Sequence, residues 1–190
     1  MKLVFATNNA NKLSELKALI SSRIEILSLK DINCNEELPE TNPTLEMNAL
    51  QKAKYVYDNY GFNCFADDTG LEIDALGGSP GVYSARYAGQ DCSEEDNMKK
   101  VLCKLEKEKN RNAKFRTVIA LILNGNENIF KGECNGRITK TKSGVEGFGY
   151  DPIFMPDGYE ITFAEMSKQN KGVISHRGRA VKELISFLNS

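Results

Sequence analysis

KLVFATNNANK, residues 2–12, joins an apolar run to a polar loop that leads into a helical pattern. Residues 2–6 are typical of a buried strand, and residues 25–29 predict a second strand. The helix between them is predicted from apolar residues at helical spacing: Leu13, Leu16, Leu19 and Ile20. This order of elements is typical of a β-loop-α-β unit, so the first part of the chain predicts an α/β fold.

The middle of the chain adds a helix and short strands. Residues 33–43 predict a loop, and Pro43 is predicted to be the first residue of a helix. The buried stripe of that helix comprises Leu45, Ala49, Ala53 and Val56. A short strand is predicted at residues 63–66, with residues 72–76 extending or following it.

The second half of the chain adds an antiparallel component. Ser93 and Asp96 predict the capped start of a helix, and residues 114–123 and 129–138 predict a long β-hairpin. Residues 143–154 form a glycine-rich loop, and Thr162 with Glu165 predicts a capping box. A closing amphipathic helix is predicted from Val181, Leu184, Ile185 and Leu188. Since no repeat or long linker divides the chain, one mixed α/β domain over residues 1–190 is predicted.

The composition excludes several classes of protein. With 25 Lys and Arg against 26 Asp and Glu, the formal charge is −1, which gives no general attraction to nucleic acid or anionic membranes. The 5 cysteines are odd in number and lack a C-x-x-C pair, so they predict free thiols in a reducing compartment. No stretch approaches the roughly 20 apolar residues of a membrane span, and the N-terminus lacks a signal-peptide core. The sequence predicts a cytoplasmic protein with no nucleic-acid or membrane partner.

CFADDTG, residues 64–70, contains two adjacent aspartates after an apolar run. At the end of a buried strand, Asp67 and Asp68 would repel each other without a nearby cation. A divalent ion such as Mg²⁺, which binds carboxylates and phosphate oxygens, would remove this repulsion. The alternative is a turn in which both aspartates are solvated or cap backbone N–H groups.

Two further stretches carry candidate ligands of an anion. The TNNANK loop links a strand to a helix, where backbone N–H groups and the helix dipole favour anions, and Lys12 adds a charge. Its alternative is an Asn-rich turn that caps the helix. Lys52 shares a helix face with Asn48, and the pair could reach a phosphate if that face borders a pocket; the alternative for Lys52 is a solvated lysine. Glu40 lies in an acidic loop whose alternative is a charged surface.

GFGYDP, residues 147–152, and SHRG, residues 175–178, complete the candidate site. Phe148 or Tyr150 could stack on a base, although a purely structural loop is the alternative. His176, the only histidine, and Arg177 are placed at a helix start, where they could present donors to a ligand. A cation array, a carboxylate pair and an aromatic surface together favour a nucleoside triphosphate with Mg²⁺ as the ligand.

These motifs resemble those of the inosine/xanthosine triphosphate pyrophosphatases. The matching stretches are T-x-N-x-x-K at residues 7–12, E-T at 40–41, N-A-x-x-K-A at 48–53, ADDTGLEIDALGGSPGVYSARYAG at 66–89, GFGYDPIF at 147–154 and SHRG at 175–178. Thr69 stands where many members have serine, and Asn8 stands where glycine is frequent. The resemblance implies a Mg²⁺-dependent homodimer that hydrolyses ITP, dITP and XTP to the monophosphate and pyrophosphate. It also implies an elongated mixed central β-sheet flanked by helices, with a nucleotide-binding cleft between two lobes.

The resemblance also implies roles for individual residues. Asp68 is implied as the catalytic proton acceptor and as a metal ligand, with Glu40 helping to hold the metal and Asp67 a less certain contributor. The substrate-binding residues implied are Thr7, Asn8, Asn9, Ala10, Asn11, Lys12, Lys52, Thr69, Phe148, Gly149, Tyr150, Asp151, Lys171, His176 and Arg177. Within this set, residues 7–12 would hold the triphosphate and residues 148–151 the base, with His176 and Arg177 closing over the purine.

Two other functions remain open from the sequence. One is a pyrophosphatase for other modified nucleotides, including pyrimidine nucleotides. The other is a nucleotide sensor that binds without hydrolysing. The presence of Asp68, Glu40 and Lys12 disfavours the sensor, because a protein that only binds nucleotide could lose these residues.

Overall fold

The computed structural model describes residues 1–19 and 24–189. Its strands are β1 (Lys2–Phe5), β2 (Glu25–Leu27), β3 (Cys64–Ile73), β4 (Pro80–Gly81), β5 (Asn112–Leu123), β6 (Asn126–Ile138) and β7 (Phe154–Pro156). Its α-helices are α1 (Ala10–Leu19), α2 (Leu45–Tyr60), α3 (Glu94–Lys104), α4 (Lys168–Ile174) and α5 (His176–Leu188). Short 3-10 helices cover Lys30–Ile32, Asp74–Leu76, Ser84–Arg86, Asp151–Ile153 and Phe163–Glu165.

The strands of the described residues form one mixed sheet in the order β2-β1-β3-β5-β6-β7, with β4 paired to β3. Strand β1 runs parallel to both β2 and β3, which confirms the predicted β-loop-α-β start. The β3–β4 and β6–β7 pairs are antiparallel. The predicted mixed α/β class, with a central sheet and flanking helices, is therefore confirmed. The elongated shape and the nucleotide-binding cleft stay predictions.

The chain divides into two compact units. The first unit comprises Met1–Asp68, Thr117–Gly132 and Arg177–Ser190, and the second comprises Thr69–Arg116 and Glu133–His176. Each unit has its own core, the first built on residues such as Leu3, Phe5, Phe65, Leu121 and Leu184. The second core includes Leu71, Val101, Phe115, Phe154 and Phe163. The single domain over residues 1–190 stays a prediction.

Several local predictions are confirmed. Ser93 and Asp96 form a capping box at α3, and Thr162 and Glu165 form one at the Phe163–Glu165 helix. The hairpin of β5 and β6 is also present, with a two-residue Asn124–Gly125 turn in which both residues have positive φ. Such a turn matches the twist of antiparallel strands, which is why the connection is shorter than the predicted five-residue loop.

Other predictions are wrong or lie outside the described residues. Helix α2 begins at Leu45 rather than Pro43, because Thr44 caps it by accepting a hydrogen bond from the Met47 N–H group at 3.2 Å. Strand β2 ends at Leu27, before the predicted residue 29. Ile20, predicted to belong to the stripe of the first helix, lies outside the described residues. In the described part of the chain, no helix is long and apolar enough to span a membrane.

Strand β3 differs most from the prediction. The sequence predicts a short strand at residues 63–66 that residues 72–76 extend or follow, but β3 runs without a break from Cys64 to Ile73, and a 3-10 helix follows at Asp74–Leu76. Asp67 and Asp68 therefore lie inside a strand, and the solvated-turn alternative for this stretch is wrong. Their charges must be balanced by neighbouring side chains.

Gly70 lets β3 and β4 approach closely, and its replacement by alanine is expected to be destabilising. A Cβ at this position would lie 2.6 Å from the carbonyl oxygen of Gly81, an approach that backbone atoms cannot relieve by a rotamer change. Gly70→Ala should therefore lower the free energy of unfolding by about 2–3 kcal/mol in urea denaturation. Gly77→Ala has open space and should cost only about 1 kcal/mol, for its positive φ. A Gly70→Ala variant as stable as the wild type would contradict the close approach.

Candidate functional site

Asp67 is fully enclosed and is neutralised by two cationic side chains. Asp67 is 1% exposed, and its carboxylate accepts hydrogen bonds from Lys12 Nζ at 3.0 Å and from Arg177 Nε at 3.2 Å. Lys12 lies in the first turn of α1, and Arg177 lies at the start of α5. Although burial opposes ionisation, these two cations hold the pKa of Asp67 well below its usual range. Protein side chains thus supply the positive charge that the sequence requires at this aspartate.

Arg177 has a second carboxylate partner that sequence analysis missed. Its Nη1 atom donates to a carboxylate oxygen of Glu15, which lies three residues after Lys12 on α1. Burial alone would lower the pKa of Arg177, but Asp67 and Glu15 raise it above the usual value. The i, i+3 spacing of Lys12 and Glu15 is a weak signal that both side chains point to one side of the helix.

Asp68 has a different environment from its neighbour. It is 7% exposed, and its Oδ2 atom accepts a hydrogen bond from Asn48 Nδ2 at 3.2 Å. Burial raises the pKa of Asp68, the Glu40 carboxylate adds to the rise, and the ammonium groups of Lys52 and Lys12 oppose it. A carboxylate with a raised pKa is a better proton acceptor than a free one, which is typical of groups that act in catalysis.

Lys52 connects the carboxylates of this region. It is only 4% exposed, and Nζ donates to the Asp67 carbonyl oxygen at 2.7 Å and to the Glu40 carboxylate. The solvated-lysine alternative is therefore wrong. The side chain of Glu40 is 34% exposed, so its charge lies at the edge of the buried cluster.

Glu40 and Asp68 fit the requirements of a magnesium ion. Carboxylate oxygens are the ligands Mg²⁺ prefers, and it usually takes one or two of them together with substrate phosphate oxygens. Within residues 1–19 and 24–189, no group of three or more His, Cys, Asp or Glu side chains could hold a metal by itself. Burial is the main cause of the raised pKa of Asp68, and a dication would relieve the smaller contribution that comes from repulsion by Glu40. Glu40 and Asp68 could therefore supply the one or two carboxylates of a magnesium site that is completed by phosphate oxygens.

The TNNANK loop is ordered by its own side chains. Asn9 Oδ1 accepts hydrogen bonds from the N–H groups of Asn11 and Lys12 at 2.9 and 3.1 Å, and Thr7 Oγ1 accepts from the Asn9 N–H group at 3.2 Å. The capping alternative thus holds for Asn9. Helix α1 begins at Ala10. Residues 8–11 are exposed, so an anion could reach the loop, but the capping occupies the N–H groups of Asn11 and Lys12.

Asn8 reaches across to the acidic segment that follows the first 3-10 helix. Its Nδ2 atom donates to the Glu36 carbonyl oxygen at 3.2 Å, and its Oδ1 atom accepts from the Leu38 N–H group at 3.4 Å. The TNNANK loop and the segment that leads to Glu40 are therefore tied together within the first unit.

The glycine-rich stretch forms a second group of predicted site residues, in the second unit. Asp151 Oδ2 accepts hydrogen bonds from the Phe148 N–H group at 2.9 Å and from Lys171 Nζ at 2.6 Å. Lys171 Nζ also lies 5.2 Å from the centroid of the Phe148 ring, a cation–π distance. Asp151 and Lys171 are both buried, so this ion pair fixes the position of the half-buried Phe148 ring.

Tyr150 and Gly149 are occupied by structural contacts. Tyr150 is buried, its hydroxyl donates to the Ser84 carbonyl oxygen at 2.8 Å, and burial raises its pKa. The structural-loop alternative thus holds for Tyr150, and Phe148 remains the aromatic candidate for base stacking. Gly149 donates its N–H group to Glu94 at 2.7 Å.

His176 and Thr69 also belong to the second unit. His176 is buried, and its ring stacks on Phe115 with centroids 4.5 Å apart and an interplanar angle of 15°. Thr69 is half-buried in β3, directly after Asp68. The division of the chain falls between Asp68 and Thr69 and again between His176 and Arg177, so the predicted site residues are shared by both units. The first unit holds Thr7, Asn8, Asn9, Ala10, Asn11, Lys12, Glu40, Lys52, Asp68 and Arg177.

Comparisons with known proteins give consistent matches. A family model described as the Ham1 family matches residues 3–187. A protein of Christiangramia forsetii named dITP/XTP pyrophosphatase is 56% identical over 189 residues, covering 100% of this chain and 100% of that protein. A protein of the same name from Porphyromonas gingivalis is 48% identical and covers 98% of this chain and 97% of its own.

Solved structures match over the same length. The Ham1 protein of Staphylococcus aureus has a TM-score of 0.90 at 38% identity, covering 100% of this chain and 98% of its own. A HAM1 protein from Coxiella burnetii has a TM-score of 0.91 at 36% identity with the same coverage. The matched range, residues 3–187, includes all the predicted site residues.

Proposed function

Because the chain belongs to the Ham1 family, we propose that it is a nucleoside-triphosphate pyrophosphatase acting on non-canonical purine nucleotides. It would hydrolyse dITP, ITP and XTP to the monophosphate and pyrophosphate in the presence of Mg²⁺. The observation that carries the proposal is the cluster of Asp68, Glu40, Lys12 and Lys52, in which a carboxylate of raised pKa lies among buried cations. The relatives named dITP/XTP pyrophosphatase support the choice of substrate.

In this proposal Asp68 accepts the proton of the attacking water. Cleavage between the α and β phosphates needs a water in line with the departing pyrophosphate. Beside Mg²⁺ the Asp68 carboxylate stays ionised and can accept a proton, and the Asn48 hydrogen bond fixes the direction in which it accepts. Bound Mg²⁺, held by Glu40 and Asp68, would supply positive charge to the leaving pyrophosphate.

The charge that develops on the leaving group needs further cations. Lys12 and Lys52 supply them from α1 and α2, and both side chains are already held in place by Asp67. Preorganised charges stabilise a transition state more than mobile ones because they need no rearrangement during the reaction. Thr7, Asn8, Asn9, Ala10 and Asn11 bind the triphosphate beside Lys12, and Thr69 contacts the substrate.

The resemblance implies that the base is recognised by Phe148, Gly149, Tyr150, Asp151, Lys171, His176 and Arg177. Of these, Gly149 and Tyr150 already make structural contacts, which leaves Phe148 as the aromatic residue for stacking. The Phe148 ring, fixed by the Asp151–Lys171 ion pair, provides a surface for stacking. Donors that face the 6-oxo group of hypoxanthine or xanthine would meet the amino group of adenine, which leaves a buried donor unpaired. Selection against ATP follows from this mismatch, whereas selection against GTP must act on its 2-amino group.

The proposal predicts an order of substrates that can be measured as pyrophosphate release. With Mg²⁺, dITP, ITP and XTP should be hydrolysed with kcat/KM about 100-fold or more above that of ATP, since an unpaired buried donor is costly. The panel should include GTP and modified pyrimidine triphosphates. Strong turnover of ATP with no turnover of ITP would exclude the proposed action on non-canonical purine nucleotides. Turnover restricted to modified pyrimidines would favour that substrate class, and nucleotide binding without pyrophosphate release would favour a sensor.

The proposal also covers assembly and location. A homodimer is implied by the resemblance, and a cytoplasmic location suits cysteines that the structure leaves as thiols. The balanced formal charge of −1 supports a small-molecule partner rather than a nucleic acid or a membrane surface.

A further inference from the structure

One turn of α2 contacts both segments that carry the proposed metal ligands. Asn48 Oδ1 accepts a hydrogen bond from the Asn42 N–H group at 2.8 Å, while its Nδ2 atom donates to Asp68 Oδ2 at 3.2 Å. Asn48 is 1% exposed, so water does not compete for either contact. The side-chain amide of Asn48 therefore links the backbone two residues after Glu40 to the carboxylate of Asp68.

Gln51, three residues after Asn48 on α2, binds the same segment. Its Oε1 atom accepts from the Thr41 N–H group at 3.1 Å and from Asn42 Nδ2 at 2.8 Å, and its Nε2 atom donates to Thr41 Oγ1 at 2.9 Å. These contacts surround Thr41, the residue directly after Glu40. The amide of Gln51 is thus committed to the backbone and side chains of this segment.

The segment has little regular structure of its own. Residues 33–44, between the Lys30–Ile32 helix and α2, contain no helix or strand, so their conformation depends on contacts with other parts of the first unit. Ordering free backbone costs conformational entropy at every residue. Each bond from Asn48 and Gln51 removes part of that freedom before a ligand binds.

We propose that Asn48 and Gln51 are positioning residues that set the place of Glu40 relative to Asp68. Neither side chain is needed to touch the substrate in the proposed function, on which this inference rests. They hold the Thr41–Asn42 backbone and the Asp68 carboxylate to one rigid helical turn, and Lys52 of the same turn binds the Glu40 carboxylate. The separation of the two metal-binding carboxylates is then fixed by α2 rather than by the segment that carries Glu40.

The decisive variant is Gln51→Met, which keeps the length of the side chain and removes its three hydrogen bonds. Loss of an outer-shell partner of a metal ligand typically weakens metal affinity about 10-fold or more. We expect the Mg²⁺ midpoint for pyrophosphate release to rise about 10-fold, while kcat at saturating Mg²⁺ stays within about threefold. Isothermal titration of Mg²⁺ into the protein bound to a non-hydrolysable ITP analogue should show the same loss of Mg²⁺ affinity. Hydrogen exchange should show that the Thr41 amide exchanges faster with solvent than in the wild type.

Two further variants separate positioning from general stability. Gln51→Glu keeps an acceptor for Thr41 and Asn42 and should restore a midpoint near that of the wild type. Gln90→Met makes the same chemical change at an exposed position and should change neither the midpoint nor the exchange of Thr41. Asn48→Leu removes the second tie and should also raise the midpoint.

Each outcome decides the inference. A Gln51→Met variant with a wild-type Mg²⁺ midpoint would overturn it, as would a lower melting temperature with no change in Mg²⁺ binding. If the wild type released no pyrophosphate from any triphosphate, the proposed function would fail. The positioning role would still be decided by Thr41 exchange and by Mg²⁺ binding with the analogue.

Discussion

Asp68→Asn should lower kcat for pyrophosphate release by about 10³-fold or more, while nucleotide binding remains detectable. The amide cannot accept the proton of the attacking water, and general-base catalysis typically contributes 10²–10⁴-fold, to which loss of a metal ligand adds. Asparagine has the same shape and can still accept the hydrogen bond from Asn48, so the surroundings of residue 68 should be preserved. Single-turnover assays with dITP would measure the rate, and isothermal titration would measure binding.

The stability of this variant distinguishes a catalytic loss from unfolding. Burial raises the pKa of Asp68, so its contribution to stability is present in acid and is lost as the pH rises through that raised value. At neutral pH the ionised carboxylate is therefore a cost, and Asp68→Asn should be at least as stable as the wild type. Asp58→Asn, the same change on the exposed face of α2, should leave both rate and stability unchanged. A fully active Asp68→Asn enzyme would remove Asp68 from its proposed role.

The elements with a clear periodic pattern could be predicted from the sequence. The apolar stripe of α2, the capping box at α3 and the β5–β6 hairpin all depend on residues close in sequence, although the hairpin turn has two residues rather than the predicted five. The start of α2 was misplaced because Pro43 is favourable at a first helical position, whereas the observed start is decided by the Thr44 hydroxyl.

Strand β3 could not be predicted as a whole because the charge of Asp67 is neutralised by residues that are distant in sequence. A run of two carboxylates, a hydroxyl and a glycine is typical of a turn. The strand continues through it because Lys12 and Arg177, 55 and 110 residues away, bind the Asp67 carboxylate. The sequence showed that a positive charge was needed, but pairing over such separations leaves no local pattern.

The candidate site was likewise predicted only in part. Charged residues in recognisable motifs, such as Lys12, Glu40 and Asp68, were identified. Gln51 and Glu15 were not, because neutral or isolated polar residues on a helix are common. Asn48 was identified only as a neighbour of Lys52 that could reach a phosphate, not as a hydrogen-bond partner of Asp68. Their spacing from Lys52 or Lys12 gives a signal only once the facing segment is known.

Asp67→Asn should lower the free energy of unfolding by about 3–5 kcal/mol, the cost of breaking a buried ion pair from one side. Asparagine has no charge, so the Lys12 ammonium and the Arg177 guanidinium would lose the carboxylate that both now share. Urea denaturation at pH 7 would measure the loss. The pKa of Asp67 is held below its usual range, so its contribution is present above about pH 4, the unfolded value, and fades below it. The difference in the free energy of unfolding between Asp67→Asn and the wild type should therefore become smaller in acid.

Two controls test whether the loss comes from unpaired buried cations. Glu127→Gln breaks an exposed ion pair with Lys54 in the same unit and should cost no more than about 1 kcal/mol. Adding Lys12→Met to Asp67→Asn removes one of the stranded charges, so the double variant should recover part of the lost stability. If Asp67 serves chiefly as a metal ligand, Asp67→Asn would keep its stability and lose Mg²⁺ affinity instead. That result would contradict a structural role for Asp67. Asp67 and Asp68 would then both bind the metal, instead of Asp67 stabilising the fold and Asp68 acting in catalysis.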